Sequence, residues 1–146
     1  RLTYSGAENE KFFLPNNLYI IGTMNTADRS LAIVDYALRR RFVFVDINPA
    51  FHDPRFASLL MGNGVCDDLV NKIISRLDDL NQTISGDNNL GRWFAIGHSY
   101  FCSKPRVADS IWYEQVIYNE IKPLLREYWF DDVDKAEDYV KNLLRD

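Results

Sequence analysis

The 146-residue sequence is poor in cysteine and histidine, with two of each. Cys66 and Cys102 are isolated, with no CxxC pair and no histidine pair close by. This argues against a disulfide framework and a zinc site, so no metal site is expected. No apolar run approaches the roughly 20 residues that a membrane helix needs. We therefore expect no membrane partner, and a cytoplasmic location because isolated cysteines suit a reducing compartment.

The charge balance lacks the basic excess of a nucleic-acid-binding surface. The chain has 17 Lys+Arg and 21 Asp+Glu, a net charge of −4. Proteins that bind nucleic acid by their own surface usually carry clustered positive charge. Apolar residues make up 47% and aromatic residues 14%, which is enough to build a core. The length favours one globular domain.

The first part of the chain has the element order of an α/β protein. Runs of apolar residues without polar alternation predict strands buried on both faces at 18–23 and 42–47. Between them, Ser30 is a suitable N-cap for a helix that three arginines close at 39–41. Strand, helix, strand is the order of a βαβ unit. The sequence therefore predicts an α/β piece over 1–49.

The sequence after Pro49 predicts helices. Asp53 and Pro54 should begin a short helix that ends near 61, and apolar residues spaced by three and four predict an amphipathic helix over 67–84. Another helix should start near Asp109, and Pro123 should end or kink it, with a new helix over 123–130. A last helix follows 131–132, with Val133, Ala136, Val140 and Leu143 on one face. The fold class is thus an α/β fragment plus a helical piece over 50–146, mostly helical overall.

Polar residues follow the first predicted strand. Asn25 lies two residues after its end, and Asp28 and Arg29 belong to the same loop. Ligands of open α/β sheets bind beyond the carboxyl ends of strands, where a neutral amide can hold a water or a phosphate oxygen. The alternative is an ordinary Asx-rich turn in which these side chains cap local backbone.

The arginine run at 39–41 is the second chemical signal. Three adjacent guanidiniums cannot all face one carboxylate, so at least one should project outward. An outward arginine at a subunit edge can stabilise the charge of a transferring phosphoryl group. The alternative is a solvated helix end, with Asp35 paired to Arg39 one turn later.

The string from Leu18 to Ser30, followed by 37–42 (ALRRRF), resembles the McrB family, AAA+ GTPases of modification-dependent restriction systems. The resemblance continues through 96–101 (IGHSYF) and 123–128 (PLLREY). It implies the C-terminal part of a AAA+ P-loop NTPase module. Residues 1–49 would be a partial α/β core with the sensor-1 strand and arginine-finger helix, and 50–146 the helical lid.

The resemblance also implies catalytic roles. Asn25 matches the sensor-1 position, which orients the attacking water, and Asp28 would organise that loop. Arg40 and Arg41 match arginine fingers that act on the neighbouring subunit's nucleotide.

Three further residues are candidates for contact with the nucleotide. The resemblance places Arg29 in the sensor-1 loop, Asp35 near the subunit boundary, and His98 in the helical lid. For Asp35 the surface pair with Arg39 stays open. For His98 the alternative is a buried, hydrogen-bonded histidine.

The resemblance implies GTP and Mg²⁺ as cofactors of the complete protein. The sequence contains no G-x-x-x-x-G-K-[ST] phosphate loop and no Gly-Lys dipeptide, so no cofactor and no activity are expected of this chain alone. GTP rather than ATP is implied by the family alone. The Asn-Thr-Ala-Asp string at 25–28 only loosely resembles a guanine-reading motif, so these four residues do not show the preference.

The implied partners are copies of the protein itself in a hexameric-type ring, an McrC-like nuclease subunit, and modified DNA bound through a domain outside this chain. Two alternatives remain: a non-catalytic interaction module of a AAA+ assembly, or another AAA+ ATPase. In AAA+ folds the P-loop strand lies between the two predicted strands. We therefore expect 18–23 and 42–47 to pair abnormally, with each other or with a second copy.

Overall fold

The computed structural model describes residues 14–24, 39–105 and 107–145. The chain divides into two compact units, Arg1–Ala32 and Ile33–Asp146. In the first unit the described residues are 14–24, where the Leu18 N–H donates to the Pro15 carbonyl at 3.2 Å and closes a turn. The second unit contains all the helices that follow.

The second unit is built from helices joined by short loops. None of the helices described here is both long and apolar enough to cross a membrane. Two 3₁₀-helices, Arg92–Phe94 and His98–Phe101, lie between the second and third α-helices. The other elements are α1 (Pro54–Gly62), α2 (Asp67–Gly86), α3 (Ser110–Val116), a π-helical turn (Ile117–Ile121), α4 (Lys122–Tyr128) and α5 (Val133–Leu144).

Helix α1 begins as the sequence predicts. The Asp53 carboxylate accepts a hydrogen bond from the Arg55 backbone N–H at 2.9 Å, and Pro54 occupies the first turn. A proline at this position loses nothing, because its missing N–H would have no partner inside the helix. The Arg55 side chain also donates to Asp53 and, as the largest cause, lowers the pKa of that carboxyl to about 2.

Helix α2 is the central element of the core. It extends over 20 residues, two beyond the predicted end. The apolar residues spaced by three and four all face inward, which confirms the amphipathic pattern. Its buried side chains are Leu69, Val70, Ile73, Leu77, Leu80, Asn81 and Ile84.

Pro123 does not interrupt the chain of helical turns. The backbone continues from α3 through the π-helical turn into α4, and Pro123 lies in the first turn of α4. A proline has no N–H and its ring clashes with the carbonyl four residues earlier in a regular α-helix. The wider π-helical turn ahead of Pro123 accommodates both effects. The helix that contains Pro123 ends at Tyr128, two residues before the predicted end at 130.

The last helix is capped as expected, but one of the four residues predicted on its inward face is exposed. The Asp132 carboxylate accepts from the Lys135 backbone N–H at 3.0 Å. Ala136, Val140 and Leu143 are buried, whereas Val133 is half-exposed, so its placement on the inward face was wrong. Val133 is the first residue of α5, where the chain has just left the surface loop.

The two runs predicted as buried strands are exposed and form no strands. Neither 18–23 nor 42–47 has strand hydrogen bonding, and Ile21 and Val43 are each more than 90% exposed. A strand exists only when a neighbouring strand pairs its N–H and C=O groups. Strands at 18–23 and 42–47 are therefore absent from the described residues, and pairing with a second copy stays a prediction. The described residues show the helical part of the predicted fold and not the α/β part.

Candidate functional site

Four of the predicted site residues lie outside the described part of the chain. They are Asn25, Asp28, Arg29 and Asp35. Their roles as sensor-1 or nucleotide-contacting residues stay predictions. Arg40, Arg41 and His98 are described, and the structure places all three in the second unit.

The arginine turn (Arg39, Arg40 and Arg41) lies at the surface. Arg39 has helical backbone, Arg40 and Arg41 form a turn, and all three are exposed. The Arg39 guanidinium lies 5.8 Å from the centroid of the Phe44 ring. This contact draws one arginine toward the following segment. Arg40 and Arg41 present two charged forks that suit bidentate contact with an anion such as phosphate.

His98 is held at the base of the segment that follows the arginine turn. Its Nδ1 accepts a hydrogen bond from the Ala50 backbone N–H at 3.1 Å. Its ring meets Phe51 and Phe56 edge-on, at centroid distances of 6.3 and 5.7 Å. The Nδ1 atom must be unprotonated to accept this bond. His98 is thus half-buried and hydrogen-bonded, and a contact with nucleotide stays a prediction.

Asn81 fixes the loop that presents His98, and the sequence interpretation missed it. Its side-chain amide donates to the Ile96 carbonyl at 2.9 Å and accepts from the Ile96 N–H at 2.6 Å. Both bonds are buried, and together they satisfy the backbone of one loop residue. The signal was present: Asn81 follows Leu77 by four and precedes Ile84 by three, on the inward face of α2.

Asp87 joins the end of α2 to the last two helices. Its carboxylate accepts from Trp129 Nε1 at 3.0 Å, Lys135 Nζ at 2.9 Å and the Asn89 N–H at 2.9 Å. The Trp129 hydrogen bond is the largest cause of a pKa well below the usual carboxyl range, and the Lys135 bond is the next. Trp129 also stacks on Tyr139 at 4.9 Å. The Asp87 cluster (Asp87, Trp129, Lys135 and Tyr139) therefore fastens three helices at one point.

A second ionic contact ties α4 to α5. Glu137 accepts from Lys122 Nζ at 2.8 Å and from Arg126 Nη2 at 2.5 Å. These two donors lower the pKa of Glu137, with Lys122 the larger cause. Because these three side chains lie near the surface, their contact orients the two helices more than it stabilises them.

The arrangement offers a packed scaffold and a cationic turn. Across 14–24, 39–105 and 107–145, no three His, Cys, Asp or Glu side chains are grouped as metal ligands. Several charged groups of the helical bundle, among them Asp53, Asp87 and Glu137, cap or join helices. Arg40 and Arg41 are exposed cations that are available to bind an anion.

Comparison with known proteins identifies the helical bundle. Residues 72–137 match the family model described as McrB, alpha-helical lid domain. Residues 72–137 are therefore similar to an McrB-type lid. The McrB-type lid match begins in α2 and ends in α5, so it contains Asn81, Asp87 and His98.

A similarity that covers nearly the whole chain extends this result. The chain is 46% identical over 149 residues to the Type IV methyl-directed restriction enzyme EcoKMcrB subunit of Escherichia coli (strain K12). The match covers 99% of this chain and 32% of that relative, so the chain spans about a third of its length. The resemblance to the McrB family is confirmed, and the McrB-type lid is its described structural part.

Proposed function

We propose that this chain is the sensor-1, arginine-finger and lid portion of a GTP-hydrolysing AAA+ motor subunit in a modification-dependent DNA restriction system. The similarity to the methyl-directed restriction subunit over 99% of the chain carries the proposal. The McrB-type lid and the exposed arginine turn support it. Activity, substrate and partners would belong to the longer protein.

The arginine turn fits the nucleotide that the proposal requires. Arg40 and Arg41 are exposed and always charged, so they match the negative oxygens of a terminal phosphate on a neighbouring subunit. Such arginines stabilise charge that develops as the phosphoryl group leaves. Asn25 would orient the attacking water. The described residues group no metal ligands, so Mg²⁺ would be held by a P-loop and an acidic pair that these 146 residues do not contain.

The test replaces the two arginines in the full-length protein. Arg40→Ala together with Arg41→Ala should lower the rate of GTP hydrolysis about 1,000-fold or more and leave GTP binding intact. Arg55→Ala is the matched control, because Arg55 is an exposed arginine of the same unit that pairs with Asp53. It should hydrolyse GTP at the wild-type rate. Normal turnover in the double variant would contradict the finger role.

The same preparation tests nucleotide choice and partners. We expect GTP to be hydrolysed in preference to ATP, and ring assembly of the hexameric type in the presence of GTP. We expect an McrC-like nuclease subunit to bind the ring, and a separate domain to bind modified DNA. ATP hydrolysis without GTP hydrolysis would instead indicate another AAA+ ATPase.

One observation favours a second candidate, a non-catalytic module of a AAA+ assembly. The 146 residues contain no phosphate-binding loop. The coding sequence upstream of Arg1 discriminates the two candidates. A P-loop in the same reading frame supports the motor subunit, and a start codon directly before Arg1 supports the module.

A further inference from the structure

Residues 39–49 carry the arginine turn, and we call them the arginine-bearing segment. The chain after this segment first becomes packed at Ala50 and Phe51. Residues 43–48 are exposed and have no regular secondary structure. Ala50 is half-buried, Phe51 is 3% exposed, and the Asp53 N–H donates to the Ala50 carbonyl at 3.1 Å. The chain is therefore fixed from this point on. The direction of the preceding segment depends on how Ala50 and Phe51 are held.

His98, 48 residues later in the chain, contacts this point. It combines the hydrogen bond from the Ala50 N–H with ring contacts to Phe51 and Phe56. Phe51 and Phe56 also meet edge-on at 5.5 Å, so the three rings contact one another. We call this group (Ala50, Phe51, Phe56 and His98) the His98 junction. Edge-on ring contacts prefer defined angles, which makes the junction directional.

The junction is fixed to the central helix. Ile96, two residues before His98, has both its backbone groups bound by Asn81 of α2. The His98 carbonyl accepts from the Cys102 Sγ at 3.4 Å, at the end of the same 3₁₀-helix. His98 therefore moves with the lid core, and through the junction Ala50 must move with it.

We propose that His98 is a positioning residue that sets the direction in which the arginine-bearing segment leaves the lid. This inference rests on the proposed function of Arg40 and Arg41. The Nδ1 lone pair of His98 is occupied by Ala50, so it is not offered to a nucleotide. A small change in the position of a catalytic group can cost a large factor in rate without weakening binding. In this role His98 acts on hydrolysis through the segment.

Two substitutions separate the hydrogen bond from the ring. His98→Asn keeps an acceptor oxygen at the place of Nδ1, and His98→Phe keeps an aromatic ring but has no acceptor. Tyr113→Phe is the matched control, because it also removes one bond to a backbone group while keeping a ring. The Tyr113 hydroxyl donates to the Leu143 carbonyl at 2.8 Å, away from the junction. Circular dichroism confirms that each variant is folded.

The junction itself is tested on the 146-residue chain. Amide hydrogen exchange of Ala50 should become about tenfold faster in His98→Phe and stay near wild type in His98→Asn and Tyr113→Phe. Unchanged exchange of Ala50 in His98→Phe would overturn the junction. This measurement needs no nucleotide, so it is independent of the proposed function.

The positioning role is tested on the full-length protein. His98→Phe should lower kcat for GTP about tenfold with KM within about twofold of wild type, and His98→Asn should recover most of the loss. Tyr113→Phe should keep the wild-type kcat. An equal fall in all three variants, or a wild-type kcat in His98→Phe, would overturn the role. A wild-type protein that hydrolyses no GTP would overturn the proposed function together with the role, while the Ala50 exchange would still report the junction.

Discussion

Helix α2 and the segment 42–47 are both rich in apolar residues, yet their environments are opposite. In α2, Ile73, Leu77 and Ile84 are completely buried. In the segment, Val43 and Ile47 are at least 90% exposed. A helix satisfies its backbone hydrogen bonds within itself and needs only one apolar surface to pack on. A strand needs a neighbour for its backbone as well as cover for both faces.

The difference separates a part of the chain that packs on itself from a part that does not. The helical lid closes its own core around α2. The arginine-bearing segment has the pattern of a buried strand, and we infer that the rest of the longer protein would cover it. The chain changes from exposed to packed at the His98 junction.

The largest expected effect comes from a substitution that creates a cavity in the lid core. Leu77→Ala should destabilise the 146-residue chain by about 2–5 kcal/mol, because the removed atoms leave a partly unfilled space. Val43→Ala makes the corresponding comparison in the exposed segment and should change stability by less than about 0.5 kcal/mol. Urea denaturation measures both. Similar losses in the two variants would break the comparison.

The next effect concerns the buried amide of α2. Asn81→Ala leaves the Ile96 N–H and carbonyl without partners and should cost about 2–3 kcal/mol. Gln82→Ala is the matched control, since the neighbouring amide is exposed and bonds only to Asp78 among the contacts resolved. It should cost less than about 0.5 kcal/mol. Denaturation curves that coincide for the two variants would show that the Asn81 bonds are not required.

The smallest effect is the pH dependence of the Asp87 cluster. The pKa of Asp87 is lowered in the folded lid, chiefly by the Trp129 hydrogen bond, below the ordinary value of 3.8. Its stabilisation is therefore present above about pH 4 and is lost as the pH falls through the folded-state pKa. Asp87→Asn should lower the unfolding temperature most at pH 7, and this deficit should shrink steadily as the pH falls from about 4 toward 2. The exposed Asp131→Asn is the control, and a pH-independent deficit in Asp87→Asn would contradict the linkage.

The helical parts of the fold were predictable because their signals are local. Asp53 with Pro54, and Asp132 before α5, mark helix starts within a few residues of sequence. The spacing of Leu69, Ile73 and Leu77 marks a buried face. The π-helical turn was not predicted, because Pro123 alone does not show whether a helix breaks or widens.

The remaining features depend on residues far apart in sequence. His98 contacts Ala50, and Asn81 contacts Ile96, through bonds that no short pattern encodes. The strand predictions at 18–23 and 42–47 failed for the same reason, because a strand requires a pairing partner that a local apolar run does not specify. Of the candidate site, the exposure of Arg40 and Arg41 and the place of His98 are described, and the roles of Asn25, Asp28, Arg29 and Asp35 stay predictions.

Hydrogen exchange compared between the 146-residue chain and the full-length protein tests the central claim most directly. In the isolated chain, amides of α2 from 70 to 84 should be strongly protected, and those of 43–47 should exchange at rates near those of an unfolded peptide. In the full-length protein the α2 amides should be unchanged and 43–47 should become protected as a paired strand. Continued fast exchange of 43–47 in the full-length protein would contradict the account.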